Sequence, residues 1–85
     1  MIERIHWTDH ARLRLVERGV AADEVEQAVR DGHQHRELNR GDADWRAYGV
    51  RSDGRRFAVA YDHPVFGDSG AARIVTIWVL RDARN

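Results

Sequence analysis

The sequence predicts an α+β domain in which two helices pack on a mainly antiparallel sheet of three or four strands. Three observations carry that reading. Residues 8–30 hold two bouts of helical periodicity, each followed by a glycine. Beyond Gly32 the period changes to alternation, and Asp53-Gly54 divides two alternating runs as a hairpin turn does.

Residues 1–6 read as a short strand through Ile2 and Ile5, with poor alternation. Thr8 or Asp9 caps the helix that follows, and Gly19 is placed to end it in a left-handed conformation. Residues 20–22 make a tight connection. The second helix spans about residues 23–30, with Asp23 and Glu24 near its positive end and Gly32 as its stop. Val25, Ala28 and Val29 give it an apolar face at i, i+3 and i+4. So short a turn makes the helices neighbours in an αα-hairpin, with Ala11 and Leu15 against Val25, Ala28 or Val29.

Residues 33–38 are a weak strand candidate, and residues 39–44 a polar turn containing Gly41. Residues 45–51 alternate better, with Trp45, Ala47 and Gly49 on one face and Arg46, Tyr48 and Val50 on the other. After the Ser52-Asp53-Gly54 turn, Phe57, Val59 and Tyr61 alternate with Arg56, Ala58, Ala60 and Asp62, the clearest half-buried strand in the chain. Residues 63–71, with Pro64, Gly67 and Gly70, form a long hairpin loop. The last strand, residues 73–80, is apolar on both faces and belongs inside a sheet. Two helices cover only one face, so Val75, Ile77 and Val79 are expected to meet a second copy in a homodimer, a partner chain, or the chain's own long loop. Residues 81–85 read as a frayed polar tail.

Eighty-five residues make a single domain, 1–85, with a modest two-layer core. The absence of cysteine removes disulfides and thiol chemistry and fits a reducing cytoplasm, and no apolar run has the length of a leader or membrane span. Net charge is zero, and all fourteen cations other than histidine are arginine. Residues 21–32 sum to −3 and residues 33–56 to +2, so a nucleic-acid partner needs a local patch rather than a long-range field. Arginine suits such a patch, because its planar fork binds phosphate or carboxylate bidentately.

On the first helix His10, Arg14 and Arg18 recur every four residues within an arc of about 80 degrees. Like charges at that spacing repel, so the stripe needs a counter-ion: Glu17 and other acids, or an anionic ligand such as phosphate. The bland reading is a solvated helix face holding internal ion pairs. The sharper one is acid–base chemistry at phosphate, in which His10 moves the proton and Arg14 and Arg18 stabilise the charge. Tyr48, Tyr61, Trp45 and Trp78 are then candidates to stack a splayed base. No phosphate-binding glycine loop, paired-cysteine site or serine elbow is present. The pairs His6/His10 and His33/His35 are too sparse to carry zinc, and no metal or cofactor is expected.

The order HAxxRxxERGV, then DEVEQAV, then a closing IVTIWV resembles a family of small bacterial domains of unassigned function related to the RelE and BrnT toxins. The resemblance runs from Trp7 to about Leu80, and its most specific parts are His10-Ala11, Arg14, Glu17-Arg18-Gly19 and Val75-Thr76. It implies a RelE-like ribonuclease-toxin fold, action on RNA or the ribosome, and neutralisation by an antitoxin protein. It also implies site positions at His10, Arg14, Arg18 and Thr76. The chain departs from that wider group in being neutral and free of lysine. The expectation is therefore a metal-independent, toxin-type endoribonuclease, the alternative being a non-catalytic protein-interaction or dimerisation domain.

Overall fold

In the computed structural model, which describes residues 1–81, the elements are β1 (Arg4–Trp7), α1 (Asp9–Arg18), α2 (Ala22–Gly32), a 3-10 turn at His33–His35, β2 (Glu37–Leu38), β3 (Trp45–Val50), β4 (Arg56–Asp62) and β5 (Ala71–Val79). Beyond Arg81, the expected polar tail lies outside the described residues. The strands form one sheet in the order β1-β5-β4-β3-β2. Every pairing is antiparallel except β1 with β5. The sheet is thus mixed and five-stranded, larger than the three or four strands expected. Strands of four and two residues are too short to announce themselves by alternation.

The start of α1 is tied to the sheet through one side chain. Thr8 Oγ1 accepts the Ala11 N–H at 3.0 Å and lies 3.0 Å from the Ile74 carbonyl oxygen, to which it donates. At the far end Gly19 takes φ 66°, and its N–H reaches the Leu15 and Val16 carbonyls, the left-handed stop the sequence called for. The Arg51 guanidinium, held by Asp53 in the β3–β4 turn, donates to the Arg18 carbonyl at 2.7 Å. A cation there also faces the negative end of the helix dipole.

For α2, the Glu24 carboxylate accepts the Ala21 N–H at 3.0 Å and closes the first turn. The helix ends at Gly32, as expected, but without a left-handed conformation. The φ of Gly32 is −87°, and the chain runs on into the 3-10 turn. A Cβ at Gly32 would sit 3.3 Å from that of Ala47, so the glycine's service is close approach to β3.

Both helices lie on one face of the sheet, α1 along β5 and α2 along β3 and β4. Each meets the sheet more than the other helix, because α1 sits over β5 and α2 chiefly over β3, with β4 between those two strands. The core between the layers holds Ala11, Val25, Val29, Ala47, Phe57, Val59, Tyr61, Ile74 and Ile77, with Leu15 packed at its margin. Gly49 permits the tightest contact: a Cβ there would fall 2.6 Å from Phe57 Cζ and 2.7 Å from Ala28 Cβ.

Simple alternation fails in β5. Tyr61 pairs with Ile74 but Ala60 pairs with Thr76, which leaves Val75 as the extra residue of a bulge. The bulge brings Ile74 onto the same side as Ile77, and both are buried beneath the helices. Val75, Ile77 and Val79 therefore do not form the uncovered face. Ile77 is 1 % exposed, and Val79 packs against the core.

Candidate nucleic-acid interface

The uncovered face is built from the other set of side chains. Across it run three rows fixed by strand register: Trp78, Ala58 and Tyr48; Thr76, Ala60, Arg46 and Glu37; His6, Arg73 and Asp62. Among the described residues no helix lies over these rows, yet Ala58 and Ala60 are 0 % and 1 % exposed. Their short side chains let the larger neighbours lie flat on the sheet and close over them. The result is a deck of guanidinium and aromatic groups on an alanine floor.

Tyr48 sits at the centre of one end. The Arg46 guanidinium lies 5.9 Å and that of Arg56 5.5 Å from its ring centroid, both within cation–π range. Its hydroxyl donates to Glu37 Oε1 at 2.9 Å. Burial is the main cause that raises the Tyr48 pKa above the usual phenol value; the Glu37 bond adds to it and the two arginines oppose it.

At the other end Asp62, 8 % exposed, accepts the Asp44 N–H at 2.9 Å and holds Arg73 Nη2 at 2.6 Å. His6 is the register partner of Arg73 across β1 and β5, and its ring meets Phe66 of the long loop edge-on at 5.0 Å. Arg4 anchors that loop through two bonds to Asp68, at 2.6 and 2.7 Å, which hold the Asp68 carboxyl down to about 2. The Nε atoms of Arg46 and Arg73 are buried without a partner, as expected of guanidiniums pressed flat against the sheet.

Of the four positions expected from sequence, Thr76 alone belongs to this deck. His10, Arg14 and Arg18 lie on α1, across the sheet from it, and do not converge with Thr76 on one site. Arg14 pairs with Glu17 at 2.6 Å and lies 3.4 Å from His10 Nε2, so the stripe supplies its own counter-ion. Arg18 is exposed beyond it. Of the four aromatic candidates, Tyr48 and Trp78 are on the open face, while Tyr61 is buried under the helices and Trp45 packs at the core margin. Arg46, Arg56, Arg73 and His6 did not stand out in sequence. The signal was the alternation itself, which places Arg46 and Tyr48 opposite Ala47, and Arg56 opposite Phe57.

A second polar cluster lies at the end of the sheet. His33 Nδ1 and the Tyr61 hydroxyl are 2.7 Å apart, and the rings of His33 and His63 meet edge to face at 4.7 Å. Burial, aided by Arg36 and His63, lowers the His33 pKa to about 4. Burial likewise lifts Tyr61 to about 12. Among the described residues no three histidine or carboxylate side chains gather as a metal site, and no helix is long and apolar enough to cross a membrane.

Fold and face together define a class: a small α+β domain with two helices on one side of a five-stranded mixed sheet and an arginine–aromatic deck on the other. Within it, the chain belongs to the family described as domain of unknown function DUF4258, which matches residues 7–79. Searches among curated proteins and among solved structures found no match.

Proposed function

We propose that the chain is a metal-independent, toxin-type endoribonuclease that holds single-stranded RNA across the open face of its sheet. The observation that carries this reading is the Trp78–Ala58–Tyr48 row, with Arg46 and Arg56 beside Tyr48 and Arg73 at the other end of the same face. Aromatic faces stack unpaired bases and guanidiniums hold the phosphates between them, the pairing that single-stranded nucleic acid requires. The resemblance to RelE and BrnT toxins supports the same substrate class, and adds the ribosome as the setting and an antitoxin protein as the partner.

For the chemical step, His6 beside Arg73 is the imidazole this face presents. The imidazole takes the proton of a ribose 2′-hydroxyl as that oxygen attacks the neighbouring phosphorus. The 5′-oxygen leaves with a proton from solvent water, whose hydroxide then takes back the proton held by the imidazolium, giving a 2′,3′-cyclic phosphate and a 5′-hydroxyl, while Arg73 stabilises the added negative charge. The non-catalytic alternative draws on the Arg14–Glu17 pair within the α1 stripe and on the chain's zero net charge, and it keeps the deck as a binding surface without cleavage.

A labelled single-stranded RNA oligonucleotide in EDTA and low salt, followed by anisotropy and by gel, tests these readings. Trp78→Ala is expected to weaken binding by about 1–3 kcal/mol, the worth of one stacked base. His6→Ala is expected to keep binding and lose cleavage. Cleavage lost in His10→Ala but retained in His6→Ala would return proton transfer to the α1 stripe. Binding without cleavage by the unaltered chain would select the interaction domain, and no binding at all would overturn the proposal.

A further inference from the structure

The two carboxylates of the deck are held differently. Asp62 is the last residue of a seven-residue strand paired on both sides, with 11 % of its side chain exposed and both oxygens engaged. Glu37 sits on β2, a strand of two residues that pairs only with Trp45 and Arg46. Its side chain is 56 % exposed, and the next residue, Leu38, is 72 % exposed. From that loosely attached edge Glu37 Oε1 accepts the Tyr48 hydroxyl at 2.9 Å and lies 3.5 Å from Arg46 Nη2. Arg46 Nε has no partner among the described residues.

A carboxylate that bridges a phenol hydroxyl and a guanidinium occupies the position that a phosphate oxygen would take, since both anions accept the same donors. We infer that Glu37 is a carboxylate latch on the Arg46–Tyr48 end of the deck, displaced together with β2 when a phosphate of the RNA strand binds there. The inference rests on the RNA reading of the face. It adds that the free protein competes with its own ligand at one end, while Asp62 keeps Arg73 fixed at the other. Displacement costs little because an exposed ion pair is weak and β2 has few ladder bonds to break.

The test is a binding cycle on the full chain with the same labelled RNA. Glu37→Gln keeps the shape and removes the charge, and is expected to tighten binding about two- to fivefold, the worth of an exposed ion pair. In an Arg46→Ala background the same change should give no gain. Asp31→Asn removes an equal charge from the helix side of the sheet and is expected to alter binding little; thermal melts confirm that each variant folds. A gain that survives Arg46→Ala, or that Asp31→Asn reproduces, overturns the latch, because net charge alone would then account for it. Equal or weaker binding by Glu37→Gln beside a binding wild type overturns the latch and leaves the RNA reading standing. If only Glu37→Gln binds, the latch is supported in its strongest form. If neither chain binds, both readings fall.

Discussion

The two faces of this sheet are made from alternate residues of the same strands and hold together by different means. The helix-side face is dry: Phe57, Val59, Tyr61, Ile74 and Ile77 are each 0–1 % exposed beneath α1 and α2. The open face buries its alanines with no second layer, using the flat stems of arginine, tyrosine and tryptophan. On the first face the side chains serve packing, and the hydroxyl of Tyr61 is taken up by His33. On the second, burial of the floor leaves donors and ring faces turned to solvent. The strand's period of two thereby separates a packed face from one that presents polar and aromatic groups.

The largest expected effect breaks the dry side. Phe57→Ala should cost about 3–5 kcal/mol in urea melts, as loss of a buried ring does. Trp78→Ala, one row over on the open face, should cost much less stability and lower RNA binding instead. Equal losses of stability would end the division between the faces. Next comes Gly49→Ala, whose new methyl meets Phe57 and Ala28 at under 3 Å. Overpacking there should cost about 1–3 kcal/mol, and a neutral result would mean that α2 can move off β3.

The acid limb of stability gives a third measurement. With a folded pKa of about 4 against the ordinary 6.5, His33 is neutral in the folded chain while the unfolded chain takes up its proton. The unfolded state binds more protons in that window, so stability falls as pH drops from 6.5 to 4. The loss should be about 1–2 kcal/mol, after allowing for water's access to a partly open ring. Asp53 and Asp68, both held down to about 2 by arginine hydrogen bonds, act in a lower window and lose their contribution only as pH falls from about 4 towards 2. His33→Gln should flatten the upper limb alone. The smallest effect is on α1, where Arg14→Ala should change stability by under about 0.5 kcal/mol, because its pair with Glu17 is exposed on a helix surface. A loss of several kcal/mol would show that the stripe holds the helix to the sheet.

Those magnitudes follow how far each feature could be read from the chain. Thr8, Gly19, the Asp53-Gly54 turn and the Phe57/Val59/Tyr61 run were legible because each is local: a cap, a left-handed stop, a tight turn, a period of two. β1 and β2 showed only as a short and a weak strand candidate, in residues 1–6 and 33–38, since paired runs of four and two residues are too brief for alternation to fix their extent. The bulge at Val75 was hidden because β5 is apolar at every position from Ile74 to Val79 apart from Thr76, so either phase of alternation looks buried. The deck was missed for a related reason. Arg46, Arg56 and Arg73 are unremarkable singly, and only the register of three strands brings them round Tyr48, Ala60 and Asp62. The α1 stripe stood out instead because i, i+4 spacing is visible within one element, whereas cross-strand neighbours are not.

The parallel pairing of β1 with β5 also sets an order of events. Strands β2 to β5 follow one another as an antiparallel meander, but Arg4 finds its partner only at Ala71. A chain emerging from synthesis at about 5–20 residues per second therefore holds β1 unpaired for several seconds after it is made. During that interval Ile5 and Trp7 have no strand beside them, and the Thr8 cap lacks the Ile74 carbonyl that completes it. Closing so long a loop is the slow step of the topology, so hydrogen exchange should find β1 the last strand protected on refolding.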